Sequence, residues 1–169
     1  MITLADAKPG DEELIADLLG ELDLFYGGTP QGTGDERAAQ VRTALFGAPP
    51  AACALLAWDG DVLAGFACWS LLWPAAGLTT SLYLKELYVA GPYRRRGIGR
   101  LLMDGLHRIA ADRGCSRVEW TTDNGNMGAR GFYERVGAKA LTSKVFYRAL
   151  VERAAAPEPR RVADTQGLS

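Results

Sequence analysis

Between two apolar runs of different period sits Arg94-Arg95-Arg96-Gly97-Ile98-Gly99. Before it, residues 82–89 are apolar on both alternate faces, Leu82/Leu84/Tyr88 and Tyr83/Leu87/Val89. That pattern predicts a central strand covered on both sides. After it, Ile98, Leu101, Leu102, Leu106, Ile109 and Ala110 mark one face of a helix over residues 98–113. A strand, a glycine turn and a helix start together make an anion site. The first helical N–H groups have no internal partners, and the helix dipole adds partial positive charge there. Gly97 and Gly99 let a pyrophosphate approach the backbone, and Arg94, Arg95, Arg96 and Arg100 add formal charge.

Three phosphate motifs compete for this segment. A Walker loop needs Lys-Ser or Lys-Thr after its last glycine, and neither follows Gly97. A dinucleotide fingerprint needs a third glycine where Leu102 stands. The R/Q-x-x-G-x-G/A turn of acyl-CoA transferases is matched by Arg94-x-x-Gly97-x-Gly99. On these six residues alone, a solvated arginine run at a helix start stays open beside it.

The surrounding pattern alternates strands and helices. Residues 2–7 read as a short strand, and Pro9-Gly10-Asp11 breaks it. Asp11 is placed to cap a helix through Leu24, whose stripe is Leu14, Ile15, Leu18, Leu19 and Leu22. A glycine-rich loop leads to a second helix from Asp35 or Glu36 to Phe46. Residues 52–58 and 62–72 flank Asp59-Gly60-Asp61 and predict a hairpin. A strand over 117–122, a turn at Asn124-Gly125-Asn126 and a helix over 127–136 follow, and residues 140–150 read as one or two closing strands. Residues 1–150 are expected to form one domain, and the Ala/Pro/Arg-rich residues 151–169 a flexible tail.

Composition removes several function classes. The 19 basic and 20 acidic residues leave a formal charge of -1, which gives no case for broad nucleic-acid binding. Cys53, Cys68 and Cys115 are scattered and His107 is the single histidine, so no metal site is expected. The cysteines read as small buried hydrophobes in a reducing compartment. His107 falls on the face of its helix opposite the apolar stripe and is expected to face solvent. The start of the chain has no signal-peptide pattern, and no stretch nears the roughly 18 apolar residues that span a bilayer. The expectation is a cytoplasmic protein that is not membrane-bound.

The flanks of the glycine turn make the reading specific. Tyr83-Leu-Lys-Glu-Leu-Tyr-Val-Ala-Gly-Pro-Tyr-Arg-Arg-Arg-Gly-Ile-Gly-Arg-Leu-Leu102 resembles the pyrophosphate motif of the GNAT N-acetyltransferase superfamily. Residues 120–138, with Asn126-Met-Gly-Ala-Arg-Gly-Phe132-Tyr133-Glu-Arg-Val-Gly-Ala138, resemble its second conserved region. The lead-in and the Trp120…Asn126…Phe132-Tyr133 spacing look most like the spermidine/spermine and thialysine acetyltransferase branch. The resemblance covers residues 1–150. It implies an α/β (α+β) GNAT fold, a mixed central sheet of about six to seven strands with about four helices on both faces.

It also implies an acetyl-CoA-dependent N-acetyltransferase, with acetyl-CoA as cosubstrate and a small-molecule amine as acceptor in a ternary complex. On that reading the backbone of Leu87, Tyr88 and Val89 lies along the pantetheine arm. The segment Arg94, Arg95, Arg96, Gly97, Ile98, Gly99 and Arg100 holds the pyrophosphate, and Asn126 touches the arm. Tyr133 protonates the departing thiolate, with a core tyrosine packed beside Phe132 as the alternative. Glu86 is a candidate base for the amine, because a carboxylate among Leu82, Leu84 and Tyr88 is buried; a structural acid paired with an arginine is the alternative. Lys85 stands where the polyamine branch carries an acid, which speaks against a polycationic acceptor. Phe25, Tyr26, Trp69 and Trp73 line an aromatic acceptor pocket or simply pack the core. Two other functions fit the same fold: a non-catalytic acyl-CoA sensor or regulatory partner, and a protein-lysine acetyltransferase. Apolar strands near the C-terminus permit a homodimer.

Overall fold

The computed structural model of the protein describes residues 1–151. Its first compact unit, Met1–Ala138, holds every regular element among the described residues. In chain order these are β1 (Ile2–Asp6), α1 (Glu12–Phe25), α2 (Gly34–Phe46), β2 (Cys53–Asp59), β3 (Val62–Leu72), β4 (Thr80–Val89), α3 (Ile98–Asp112), β5 (Cys115–Glu119) and α4 (Met127–Arg135). Single 3₁₀ turns at Ala76–Leu78 and Gly91–Tyr93 bracket β4.

The strands form one sheet in the order β1-β2-β3-β4-β5. The first four pair antiparallel, joined at one point by the predicted hairpin across Gly60, and β5 lies parallel to β4. A parallel neighbour requires a crossover, and α3 is that crossover. One face of the sheet takes α1 and α2, through Ile15, Leu18, Leu22, Ala38 and Val41 against Leu56, Phe66 and Tyr88. The other takes α3, through Ile98, Leu102, Met103 and Leu106 against Leu55, Ala57, Leu82 and Leu84. These four α3 side chains are at most 1% exposed. Full burial of each contributes roughly 1.5–3 kcal/mol. Gly105 lets α3 lie low on the sheet: a Cβ there would stand 2.6 Å from Leu55 Cδ2 and 3.0 Å from Leu4 Cδ1.

Several expectations change. The closing strands at 140–150 do not form, so the sheet has five strands among the described residues rather than six or seven. A strand exists only as part of a ladder; residues 139–151 join none, and Leu141, Val145, Phe146, Tyr147 and Leu150 are exposed. The expected tail at 152–169 lies outside the described residues. Asp11 does not cap α1 with its side chain; its carboxylate instead accepts from the Lys8 amide at 2.9 Å. α2 begins with a capping box, in which Thr33 accepts from the Glu36 amide and Glu36 accepts from the Thr33 amide. On α3 the buried stripe includes Met103 and leaves Leu101 exposed.

The largest local change is in β4. Cys68 pairs with Glu86 but Trp69 pairs with Leu84, so Lys85 is an extra residue in the ladder. One extra residue reverses the in-and-out alternation. Leu82 and Leu84 therefore face α3, while Tyr88 faces α1, and Leu87 and Val89 pack on the α3 side. The single faces read from period two, Leu82/Leu84/Tyr88 and Tyr83/Leu87/Val89, are each split by this bulge.

Candidate active site

The β4–β5 ladder ends two residues before the bulge at Lys85. β5 pairs with β4 only from Thr80 to Tyr83, and the last partner is Glu119. Beyond Tyr83, β4 continues with β3 alone as far as Val89. Its β5-side edge over residues 84–89 is thus without a ladder partner among the described residues. That edge carries Leu87, Tyr88 and Val89, and it runs toward the glycine turn.

The turn itself is built from unusual backbone. Arg95 adopts φ 64° and Gly97 φ 82°, both left-handed. For a non-glycine residue this costs about 1–2 kcal/mol, a strain that marks sites where function sets the geometry. The first helical hydrogen bond of α3 runs from Leu101 N–H to the Gly97 carbonyl, 3.1 Å. The amides of Ile98, Gly99 and Arg100 come before it, so no carbonyl of the helix stands behind them. Successive amides of this kind form an anion-binding concavity. Gly97 has open space around its missing Cβ, whereas a Cβ on Gly99 would stand 3.2 Å from Phe132 Cζ. Gly99 therefore seats α4 against the start of α3.

The arginine side chains are mostly engaged. Arg94 Nε donates to the Val89 carbonyl at 2.9 Å and its Nη2 to the Tyr88 hydroxyl at 3.2 Å. Arg96 Nη2 donates to Asp59 Oδ2 at 3.2 Å, and its guanidinium lies over the Tyr93 ring. Arg100 lies 3.8 Å from Asp104 on the exposed side of α3.

Titratable groups from three parts of the fold lie near Glu86 of the open edge. Tyr133, on α4, packs between Trp120 and Phe132, with ring centroids 5.0 and 5.1 Å away. Burial pushes its hydroxyl up to about 12, and the neighbouring Tyr26 and Glu86 push the same way. Glu86 follows the bulge and is half-buried rather than enclosed by Leu82 and Leu84. Burial raises its carboxyl above the ordinary carboxylate range; Lys85, at 3.7 Å, opposes this and Asp23 adds to it. Its partner is that lysine, not an arginine. Tyr26, just past α1, is raised by burial and by the charges of Glu86 and Asp123. Asn126 accepts from the Ala129 amide at 3.0 Å, which fixes it as the cap of α4 and leaves its amide nitrogen available.

The Acetyltransferase (GNAT) family matches residues 19–138. This chain belongs to that family. An L-ornithine N5-acetyltransferase of Arabidopsis thaliana is 35% identical over 80 residues, covering 47% of this chain and 35% of that protein. A thialysine N-epsilon-acetyltransferase of Bos taurus is 34% identical over 62 residues, covering 37% of this chain and 36% of that protein. The match thus spans about a third of the length of these curated relatives. Among solved structures, an integron cassette protein from the mobile metagenome of V. cholerae superposes with a TM-score of 0.82 at 26% identity, over 89% of this chain and 93% of that one.

In this GNAT chain Glu86 lies near enough to Tyr133 to act on its hydroxyl, Gly99 of the turn packs against Phe132 of α4, and Asn126 caps that helix; the four aromatic candidates are not gathered together. Trp69 is 2% exposed in the core beneath α3, while Phe25, Tyr26 and Trp73 are exposed. His107 is exposed, as its face of α3 implies. No group of three or more His, Cys, Asp or Glu among the described residues could hold a metal ion. The three cysteines are free and partly buried. No helix among the described residues is long and apolar enough to cross a membrane. Sequence reading missed Asp23 and Asp123 as neighbours of the site. Asp23 lies in a helix with no motif and Asp123 inside the 120–138 region at a position no motif residue marks, so only the fold reveals them beside Glu86 and Tyr26.

Proposed function

We propose that the protein transfers the acetyl group of acetyl-CoA to a small primary amine by direct attack in a ternary complex. The observation that carries this reading is the unpaired β4 edge. It runs from the uncovered amides of Ile98, Gly99 and Arg100 to Glu86, whose charge adds to burial in raising the hydroxyls of both Tyr26 and Tyr133.

An open strand edge pairs naturally with the amide groups of a pantetheine arm. Leu87, Tyr88 and Val89 offer that edge. One of their N–H groups then donates to the thioester oxygen as negative charge develops on it. The amides of residues 95–100 take the diphosphate, with Gly97 leaving room for its approach. The free amide nitrogen of Asn126 donates to the arm.

A primary amine attacks only when neutral, and its ordinary value lies near 10.4. Glu86, directly or through water, accepts its proton. A raised carboxyl value makes it a better base than an ordinary glutamate. The nitrogen bonds to the acetyl carbon, the carbon–sulfur bond breaks, and sulfur leaves with the electron pair. Tyr133 donates a hydrogen bond to that sulfur. A phenol at about 12 holds its proton against a thiolate near 8.5, so the proton that completes the thiol comes ultimately from the amine.

Lys85 is 69% exposed at the mouth of this region. It repels a polycation and attracts a carboxylate, which favours the side-chain amine of an amino acid over a polyamine. The relatives named for ornithine and thialysine support that choice. The test is release of free thiol from acetyl-CoA with L-ornithine, thialysine, L-lysine, spermidine and a lysine peptide. Turnover with the amino acids is expected. Saturable coenzyme A binding with no turnover on any amine would instead favour an acyl-CoA sensor, and turnover on the peptide alone a protein-lysine acetyltransferase.

A further inference from the structure

Arg94 belongs to the coenzyme turn by sequence, yet its side chain is committed to α1 and β4. Its Nε and Nη2 donate to the Val89 carbonyl and the Tyr88 hydroxyl. Its guanidinium carbon lies 4.5 Å from the Phe25 ring centroid and 5.3 Å from that of Tyr88. The Tyr88 hydroxyl in turn donates to Glu21 Oε2 at 3.2 Å. Arg94 is thus joined to the last turn of α1 twice, through the Phe25 ring and through Tyr88 to Glu21. The last turn of α1 has no basic residue of its own. Arg94 supplies a cation beside the negative end of that helix. Tyr26 follows Phe25 directly, and their rings stand edge to face at 5.4 Å.

We propose that Arg94 is a positioning residue: it braces the coenzyme turn against the end of α1 and so sets Tyr26 at the acceptor side of the site. The inference rests on the acetyl-CoA reading of the same turn. A planar guanidinium with two in-line donors and a stacking face meets all three partners at once; an ammonium does not. Ordering the turn with a diphosphate therefore orders the end of α1, and acceptor recognition follows coenzyme binding.

The test is backbone hydrogen exchange with and without saturating coenzyme A. In the unaltered protein, coenzyme A is expected to slow exchange at residues 94–101 and, by about fivefold or more, at residues 22–27. Phe25→Leu, a change at an exposed ring, keeps coenzyme A affinity within about threefold but loses the remote slowing. Phe25→Tyr, which keeps the ring, retains it. Arg94→Gln, which removes the brace itself, also loses the remote slowing. The proposal is overturned if slowing at 22–27 is absent in the unaltered protein or survives both Phe25→Leu and Arg94→Gln. It is also overturned if Arg94→Gln alone weakens coenzyme A by more than about tenfold, for then Arg94 meets phosphate directly. If the unaltered protein shows no saturable coenzyme A binding, the reading of the turn falls, and this inference with it.

Discussion

Burial raises both Glu86 on β4 and Tyr133 on α4, and Glu86 lies near enough to raise the Tyr133 hydroxyl further; the proposed mechanism gives them different tasks. The Tyr133 hydroxyl, at about 12, remains protonated through the neutral and mildly alkaline range. Tyr133→Phe removes one donor to developing charge on sulfur. Turnover is expected to fall about tenfold to a hundredfold with coenzyme A affinity nearly unchanged. Initial rates of thiol release and a coenzyme A titration check this, and unchanged turnover would remove the role. Glu86 must be ionised to take a proton, so the acid limb of kcat/KM should lie above the ordinary carboxylate range. The stability consequence has the opposite sense. Its folded value is raised, so its contribution to stability is full below its ordinary value of 4.5 and is lost as pH rises through the raised value. Glu86→Gln should therefore lose turnover at neutral pH while unfolding at equal or slightly higher denaturant. A variant both active and less stable would contradict both halves. Glu86 and Tyr133 stand out in the sequence because they lie in local motifs. Glu86's company does not: Asp23 is 63 positions away along the chain, and no spacing rule spans that distance.

Elements obeyed the sequence where one period governed them and departed where two met. The hairpin across Gly60 and the start of α3 were readable because turn chemistry and periodicity agreed. β4 was readable as a central strand, but its reversal of faces at Lys85 was not, because both alternate faces are apolar and the bulge leaves no compositional trace. The strands expected at 140–150 rested on apolar content alone, which does not supply a partner edge. Glycines at this scale are separable by cause. Gly97 is left-handed with open space around it, so Gly97→Ala costs about 1–2 kcal/mol of backbone strain and should weaken coenzyme A binding as the turn relaxes. Gly105 has no such backbone, but its added Cβ would meet Leu55 at 2.6 Å. Gly105→Ala should cost about 1–3 kcal/mol by overpacking and leave coenzyme A affinity nearly intact in the folded protein. Denaturant midpoints and coenzyme A titrations on the two variants distinguish these cases. If Gly97→Ala binds as well as the unaltered protein, the turn's geometry is not what holds the ligand.

At the scale of the molecule, the candidate site lies on the β4 edge beyond the end of the β4–β5 ladder, and binding to a folded edge links ligand to fold thermodynamically. α1 and α2 pack on one face of the sheet and α3 on the other, and the β4 edge beyond Tyr83 carries residues of both cores, Tyr88 on one side and Leu87 and Val89 on the other. A ligand bound there only in the folded state stabilises it by RT ln(1 + [L]/Kd), about 2.7 kcal/mol at a hundredfold excess over Kd. For a chain of this size, each kcal/mol shifts Tm by roughly 2–4 °C, so coenzyme A should raise Tm by about 5–11 °C. The two halves of the ligand should contribute unequally. Arg94 and Arg96 are already paired with protein groups, leaving the main-chain amides together with the Arg95 and Arg100 side chains as partners for a diphosphate. The amides of Ile98, Gly99 and Arg100 precede the first hydrogen bond of α3, so their donor capacity is open to a diphosphate. Acetyl-pantetheine keeps the arm that pairs with β4 but lacks the diphosphate. At equal concentration it should shift Tm far less than acetyl-CoA. Equal shifts by the two compounds would mean that the β4 edge alone binds the ligand and that the strained turn at Arg95 and Gly97 has another purpose.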